Sequence, residues 1–431
     1  MFRFNKLQPT QYIVLGFLLV ILVGSIILFL PFSHQPGVEV SYIDALFTAT
    51  SAVSVTGLIA IDTAEHFNIF GRFIVGLLIQ IGGLGVTSVG ALFIILTQRK
   101  FGLHHRLLLM EGMNFSSLSG VVRLVKYVLK FTLITESIGM ILSWIVFSRD
   151  YSFWSSLGIS AFHSIAAYNN AGFDILGGMQ NLIPYRDSVL LNLTTAGLII
   201  ISGLGFVTIT EIYTKRKFQK FSMHTKIVLV MTITLLVSGT ILLKLTEGFS
   251  WLDAFFHSVS ARTAGFSTVP IGSFTSSGLL VLTILMFIGA SPGSTGGGIK
   301  TTTFFTIIQS IKAIATNRPV TAFKRRIPAD SIIKAFSIFS LAIMVIMLTT
   351  FLILLVDPQF TLMEVFFEVV SSVGTVGLST GITPDLSGVS KLILCVTMFI
   401  GRLGPLSIAS VWAYHTSAPK FNYVEEQITI G

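Results

Sequence analysis

One short pattern occurs four times in the chain. It has a Phe ten residues before a Gly, a small residue five before it, and Leu or Phe just after. Phe47, Ala52, Gly57 and Leu58 make the first copy, and Phe162, Ala167, Gly172 and Phe173 the second. Phe255, Ser260, Gly265 and Phe266 make the third, and Phe367, Ser372, Gly377 and Leu378 the fourth. A fixed Phe offset separates these glycines from the isolated helix-packing glycines common in membrane proteins. Four related hairpins set around one axis can build an ion path.

The surroundings of the pattern are apolar. Of 431 residues, 52% are hydrophobic and 11% charged, against about a quarter charged in soluble domains. The chain therefore reads as an integral membrane protein. Tyr12 to Phe32 carries no charge, long enough to cross roughly 30 Å of hydrocarbon at about 1.5 Å per residue. It is too long for a signal-peptide core, and no small-x-small cleavage site follows it. Further apolar runs cover about 69–97, 128–147, 189–212, 227–243, 279–290, 332–356 and 392–414.

The net charge of +9 is segregated. Arg3 and Lys6 come first, then Arg99 to Lys126, then Lys215 to Lys226, then Lys312 to Lys334. The loops between them are mostly acidic, with Asp44, Asp62, Glu65, Asp174, Glu247, Asp357 and Glu364 among them. The positive-inside rule puts the basic loops and both termini in the cytoplasm. In so apolar a chain, topology explains the basic loops better than nucleic acid does.

The basic loops cut the chain into four units, 1–97, 98–220, 221–320 and 321–431. Each reads as a spanning run, a short segment ending in the Gly pattern, and a second run. The short segments, about 42–52, 153–167, 251–261 and 361–373, are too short to span and suit re-entrant helices. Non-helical backbone at membrane depth needs cover from protein or a water-filled cavity, so four such loops belong at a shared axis. The expected fold is an all-α integral membrane protein. It has four pseudo-repeats of spanning helix, re-entrant pore helix with filter loop, and spanning helix around one central pore. Eight spans and four half-entering helices account for the chain. Each second run also carries a glycine-rich step: Gly82-Gly83-Leu84-Gly85, Ser202-Gly203-Leu204-Gly205, Gly289-Ala290-Ser291-Pro292-Gly293 and Gly401-Arg402-Leu403-Gly404.

The candidate ion site lies at the hairpins: Val55, Thr56 and Gly57; Asn170, Ala171 and Gly172; Thr263, Ala264 and Gly265; Thr375, Val376 and Gly377. None of these residues is a carboxylate. A bare monovalent cation can be held by rings of backbone carbonyls that replace its water, with the negative end of each preceding helix aimed at it. The last copy, Thr-Val-Gly-Leu, is close to the Thr-Val-Gly of potassium channel filters.

The chain resembles the Trk/Ktr/HKT superfamily of potassium transporters over nearly its whole length, most closely the membrane, KtrB-type subunit of bacterial Ktr systems. Arg262-Thr263-Ala264-Gly265-Phe266 and Ser291-Pro292-Gly293-Ser294-Thr295-Gly296-Gly297-Gly298 carry the likeness. The resemblance implies K⁺ rather than Na⁺ as the preferred ion, because Gly57 stands where some plant members have Ser. It further implies a homodimer in the bacterial plasma membrane and a separate cytosolic ring that binds nucleotide and controls opening. No cofactor is expected in the chain itself beyond the transported K⁺, with Na⁺ as a candidate activator.

The third unit cannot continue as a regular helix after Ala290, since 291–300 holds one Pro and four Gly. Arg402 falls where the first two units have Gly83 and Gly203. A charge at mid-membrane usually faces a bundle interior or a cavity. Gly293, Ser294, Thr295, Gly296, Gly297, Gly298 and Arg402 are therefore read as a gate below the filter, a role the resemblance also implies.

Smaller readings complete the picture. Glu136 is expected to pair with a neighbouring helix. Asn169 and Asn170 either add side-chain oxygen to one hairpin or brace it. Arg262 is expected to brace the filter from behind, paired with an acid such as Glu368. His163 and His257 sit at unequal offsets and do not read as a metal pair, and Cys395 reads as buried filler. Gly293 to Thr301 is off by one from a phosphate-binding loop and follows no strand. No spanning run holds two carboxylates or a Ser–His pair, so an intramembrane enzyme is not expected. A Na⁺- or H⁺-coupled secondary carrier is the alternative, but carriers commonly show inverted repeats, whereas these four units share one orientation.

Overall fold

A computed structural model describes residues 9–96, 103–112, 120–410, 426 and 429. Helix α1 (Pro9–Phe29) opens the fold, followed by α2 (Tyr42–Ser54), the short α3 (Thr63–His66), α4 (Ile69–Leu84), α5 (Val86–Leu96) and α6 (Leu103–Gly112). The order then repeats as α7 (Val121–Phe147), α8 (Phe153–Tyr168), α9 (Val189–Gly203) and α10 (Phe206–Lys215). Next come α11 (Met223–Glu247), α12 (Trp251–Ser260), α13 (Ser276–Phe287) and α14 (Thr301–Ala315). A two-stranded ribbon, β1 (Thr321–Ala322) and β2 (Arg325–Arg326), precedes α15 (Ala329–Val356), α16 (Leu362–Gly374), α17 (Gly388–Leu403) and α18 (Pro405–Ser410).

Among the described residues, four helices are long and apolar enough to cross a membrane: Thr10–Phe29, Val121–Phe147, Met223–Glu247 and Ala329–Val356. They turn apolar side chains outward. Leu19 of α1, Leu133 of α7, Ile233 of α11 and Phe351 of α15 are each more than 60% exposed. Such a surface is stable only in hydrocarbon. The short helices α2, α8, α12 and α16 lie inside this shell. Their pattern phenylalanines explain the fixed offset: Phe47, Phe162 and Phe367 are buried in the core and Phe255 is half-buried.

The second apolar run of each unit differs from the expected full span. Each is broken, and at the glycine-rich step. The pair α4 and α5 bends by 100° and α9 with α10 by 93°. Residues Gly85, Gly205 and Gly404 sit at the breaks with φ of +82°, +85° and +86°. That left-handed region is open to glycine without a Cβ penalty, and it ends the helix. The sequence reading placed a break in the third unit alone. What singles that unit out is length: 13 residues separate α13 from α14, whereas one or two suffice elsewhere.

Candidate functional site

Each hairpin follows the C-terminus of a short helix, and serine or threonine caps fix where three of the four begin. Ser41, Ser250 and Thr361 accept hydrogen bonds from Asp44 N, Asp253 N and Glu364 N, and Glu364 closes a capping box at α16. At the other end the chain turns the same way four times. Val55, Asn170, Thr263 and Thr375 have φ of +57°, +60°, +76° and +48°. Two residues on, Gly57, Gly172, Gly265 and Gly377 have φ of +93°, +66°, +76° and +91°. A β-branched residue at positive φ is strained and persists only where its surroundings over-determine it.

Hydrogen bonds hold these turns. Thr56 N and Val376 N donate to the carbonyls of Ser51 and Ser371 at 2.8 Å. The hydroxyls of the same two serines accept from Gly57 N and Gly377 N at 3.0 Å. Ala171 N and Ala264 N donate to Ala166 O and Ser260 O at 2.8 and 2.9 Å.

The four glycines meet in closed succession. A Cβ placed on Gly57 would lie 3.1 Å from Gly172 Cα, one on Gly172 would lie 3.0 Å from Gly265 Cα, and one on Gly265 would lie 3.1 Å from Gly377 Cα. One on Gly377 would return to within 2.8 Å of Gly57 Cα. These are backbone approaches, so no rotamer change relieves them. The structure thus brings all twelve candidate hairpin residues into one cluster, every one of them buried.

The broken segment 288–300 lies against the underside of this cluster. A Cβ on Gly296 would sit 3.1 Å from Thr263 Cβ, and one on Gly297 would sit 3.0 Å from Thr375 Cγ2. Thr295 Oγ1 donates to Tyr168 O at 3.4 Å. Arg402 donates to the carbonyl of Thr295 and, from its other terminal nitrogen, to the carbonyls of Gly82 and Gly83, the last at 3.2 Å. One guanidinium therefore ties the end of α17 to the end of α4 and to the broken segment. Lys300, outside the candidate set, joins the same arrangement by donating to Gly296 O at 2.7 Å and Gly297 O at 3.2 Å. Below it opens a cavity of about 460 Å³, lined by Gly293, Ser294, Gly296, Gly298, Lys300 and Arg402 among others.

The remaining expectations divide. Asn169 and Asn170 act differently. Asn169 Nδ2 donates to Glu136 Oε1 at 3.1 Å and to Gln80 Oε1 at 2.8 Å, which pairs Glu136 with the end of a short helix. Asn170 accepts from Ser202 Oγ at 3.1 Å. Arg262 and Glu368 form no ion pair, contrary to expectation. The reason is local: Glu368, buried in α16, is occupied by Ser379 Oγ at 2.6 Å, Thr380 N at 2.8 Å and Thr383 Oγ1 at 2.8 Å. It braces the strand of chain leaving the fourth hairpin. His163 bonds Thr195 Oγ1 at 2.8 Å and His257 bonds Ser267 Oγ at 3.1 Å. Among the described residues no three His, Cys, Asp or Glu side chains group as a metal site. Cys395 is buried and free.

Sequence reading missed Asn181. Its Nδ2 donates to Gly172 O at 3.1 Å and its Oδ1 accepts from Ser267 N at 3.1 Å, which bridges the second and third hairpins. Two ion pairs tie the first turns of short helices to other parts of the chain. Lys391 pairs with Asp44 at 2.9 Å and Arg186 with Asp253 at 2.8 Å. Burial raises the Asp253 pKa, but the Arg186 and Ser250 hydrogen bonds outweigh it and the net shift is downward. Asp174, two residues beyond Gly172, is pushed up to about 6, by burial first and by the negative charge of Asp62, with Leu176 N opposing.

Comparison with known proteins gives a consistent neighbourhood. A family model described as TrkH, cation transport protein, matches residues 9–229 and 221–423. The potassium/sodium uptake protein NtpJ of Enterococcus hirae is 35% identical, with 99% of this chain and 98% of that protein covered. The Ktr system potassium uptake protein B of Bacillus subtilis is 35% identical, with 100% and 98% covered. The crystal structure of the potassium transporter TrkH from Vibrio parahaemolyticus is 19% identical and superposes with a TM-score of 0.75, covering 95% of this chain and 87% of that one. That likeness is one of fold.

Proposed function

The chain belongs to the TrkH family of cation transport proteins, and from that premise we propose that it is a potassium uptake protein of the bacterial plasma membrane. The relatives named for potassium or potassium/sodium uptake share about a third of its residues along nearly their full length. Four units, 1–97, 98–220, 221–320 and 321–431, each contribute a short helix and a hairpin to one ion path.

The closed succession of Gly57, Gly172, Gly265 and Gly377 carries this reading. Four strained turns with the same φ alternation provide carbonyl oxygens and no carboxylate. That chemistry suits an ion stripped of most of its water and weakly enough bound to leave again. The helices before the turns add the partial negative charge of their C-termini, worth a few tenths to about 1 kcal/mol each.

Residues 293–298 and Arg402 form the gate. In the closed arrangement the guanidinium holds the Thr295 carbonyl and sets a fixed positive charge on the cation route. At an effective dielectric of about 20, two unit charges 4 Å apart interact by about 4 kcal/mol, enough to stop most of the flux. Opening withdraws the segment from beneath Thr263 and Thr375. Control from outside the chain, through a cytosolic nucleotide-binding ring contacting the basic inner loops of a homodimer, completes the proposal; Na⁺ is its candidate activator.

The experiment is K⁺ rescue of an uptake-deficient bacterium by the wild-type chain and by Gly57→Ser. Rescue at low K⁺ by the wild type, with loss of K⁺ preference in the variant, supports the assignment. Equal growth after replacement of all four glycines overturns it.

A further inference from the structure

Three cations bound the cavity beneath the broken segment, and among the described residues no Asp or Glu lines it. Arg402 is satisfied by the carbonyls of Thr295, Gly82 and Gly83. Lys300 is satisfied by those of Gly296 and Gly297. Neither figures in the ion pairs of the described residues, and neither does Lys334 near the start of α15. Carbonyl dipoles fill N–H donors but carry no net charge. Cations gathered around one cavity with no ion pair among the described residues leave a charge for a counter-ion to meet.

The rest of the wall is mixed: Thr10, Thr87 and Thr303 lie on it, and one side is apolar. Ile13 and Phe17 of α1 and Ile338 of α15 line that side. Both helices are long enough to cross a membrane. A charged floor beside an apolar wall, with Lys334 exposed at its edge, matches a phosphate group attached to an acyl chain. Guanidinium binds phosphate in a fork of two parallel hydrogen bonds, stronger than its bonds to neutral carbonyls.

We propose that this cavity binds a phosphate-bearing anion, supplied by an anionic phospholipid headgroup or by free inorganic phosphate, and that the bound anion favours opening. The proposal rests on the reading of residues 293–298 and Arg402 as the gate of a potassium path. A phosphate that reaches Arg402 competes with Thr295 O for the guanidinium. The segment then loses its tie to α17, and the positive barrier on the cation route is cancelled in the same step.

The test reconstitutes the full chain into phosphatidylcholine vesicles containing stepped fractions of phosphatidylglycerol, with Rb⁺ uptake as the readout. A second series uses phosphatidylcholine alone with inorganic phosphate on the cytoplasmic face. Retained phosphatidylglycerol is counted in parallel by native mass spectrometry. Uptake rising with phosphatidylglycerol, retention of the lipid, and a half-maximal fraction shifted about five-fold in Lys334→Gln support the lipid source. Stimulation by phosphate in phosphatidylcholine, weakened in Lys334→Gln, supports the free anion. An equal response in wild type and Lys334→Gln means a surface-potential effect and overturns the site. Rb⁺ uptake that ignores both probes while still preferring K⁺ over Na⁺ overturns it too, and leaves the transport reading standing. Because retention is read without transport, loss of selective uptake in every vesicle condemns the transport reading alone: retention abolished by Lys334→Gln still supports the anion site, and retention unchanged overturns it.

Discussion

Arg402 and Thr295, 107 residues apart, are joined by a hydrogen bond from guanidinium to main-chain carbonyl. The contact sets a charged side chain against backbone that has no helix of its own to satisfy it. Arg402 also holds Gly82 and Gly83, so its removal frees carbonyls on two elements at once. Hydrogen bonds to charged groups contribute roughly 1.5–3 kcal/mol each. Arg402→Ala is expected to raise basal Rb⁺ uptake in vesicles by about ten-fold or more, with little change in K⁺ over Na⁺ preference. Uptake equal to wild type would remove the gate assignment.

Gly57→Ser is expected to weaken selectivity more than expression. A Cβ at Gly57 meets the Ala171 carbonyl and lies 3.1 Å from Gly172 Cα, with φ at +93°. The new side chain must push the second hairpin outward, which widens the site and favours a smaller ion that keeps some water. The ratio of K⁺ to Na⁺ uptake should fall by about ten-fold or more, a loss of about 1.4 kcal/mol of discrimination. Competition of Na⁺ against Rb⁺ uptake measures it.

The hairpins were legible in the sequence because their constraint is local. The Phe offset, the short helix and the Gly all lie within eleven residues of each other, and α2, α8, α12 and α16 begin and end within a few residues of the expected segments. The outcome at Arg402 was legible for the same kind of reason: a charge in a glycine position has few places to go. Asn181 was not. It sits in an irregular loop with φ of +52°, and its value lies in joining Gly172, 9 residues back, to Ser267, 86 residues on. The expected Arg262–Glu368 pair failed because opposite charge is a weak guide when hydroxyls lie nearer: Ser379, Thr380 and Thr383 follow the same hairpin and reach the carboxylate first. The breaks at Gly85, Gly205 and Gly404 escaped notice because glycines in an apolar run are also common on the packing faces of unbroken membrane helices.

Glu368→Leu is expected to destabilise the fourth hairpin. The carboxylate accepts from Ser379, Thr380 and Thr383, and the substitution strands these donors, buried at Thr383 and half-buried at Ser379 and Thr380. Each stranded donor costs about 1–3 kcal/mol. Glu368→Gln keeps one acceptor oxygen and is expected to lose roughly half as much. Thermal unfolding of the purified proteins in one detergent should rank wild type above Gln above Leu, and an unchanged midpoint in the Leu variant would show that Glu368 braces nothing.

Asp174 is expected to make uptake sensitive to external acid. It lies two residues beyond Gly172, where the other three hairpins continue with Ile59, Ser267 and Ser379. Its pKa is raised to about 6, chiefly by burial and further by Asp62. A raised carboxyl pKa means that the group is charged above about pH 6 and neutral below it. At pH 7 the carboxylate concentrates cations at the mouth, and protonation removes that attraction. Asp62 and Glu65 hold the loop that follows, accepting from Met179 N at 2.7 Å and Gly178 N at 3.2 Å, and neither adds an opposing charge. Uptake at K⁺ well below saturation should therefore fall by a few-fold between pH 7 and pH 5, while uptake at saturating K⁺ changes less, because a full site gains nothing from a higher local concentration. In Asp174→Asn the low-K⁺ profile should be flat across this range and lie at the acid level throughout. A wild-type profile that the substitution leaves unaltered would assign the titration to another group.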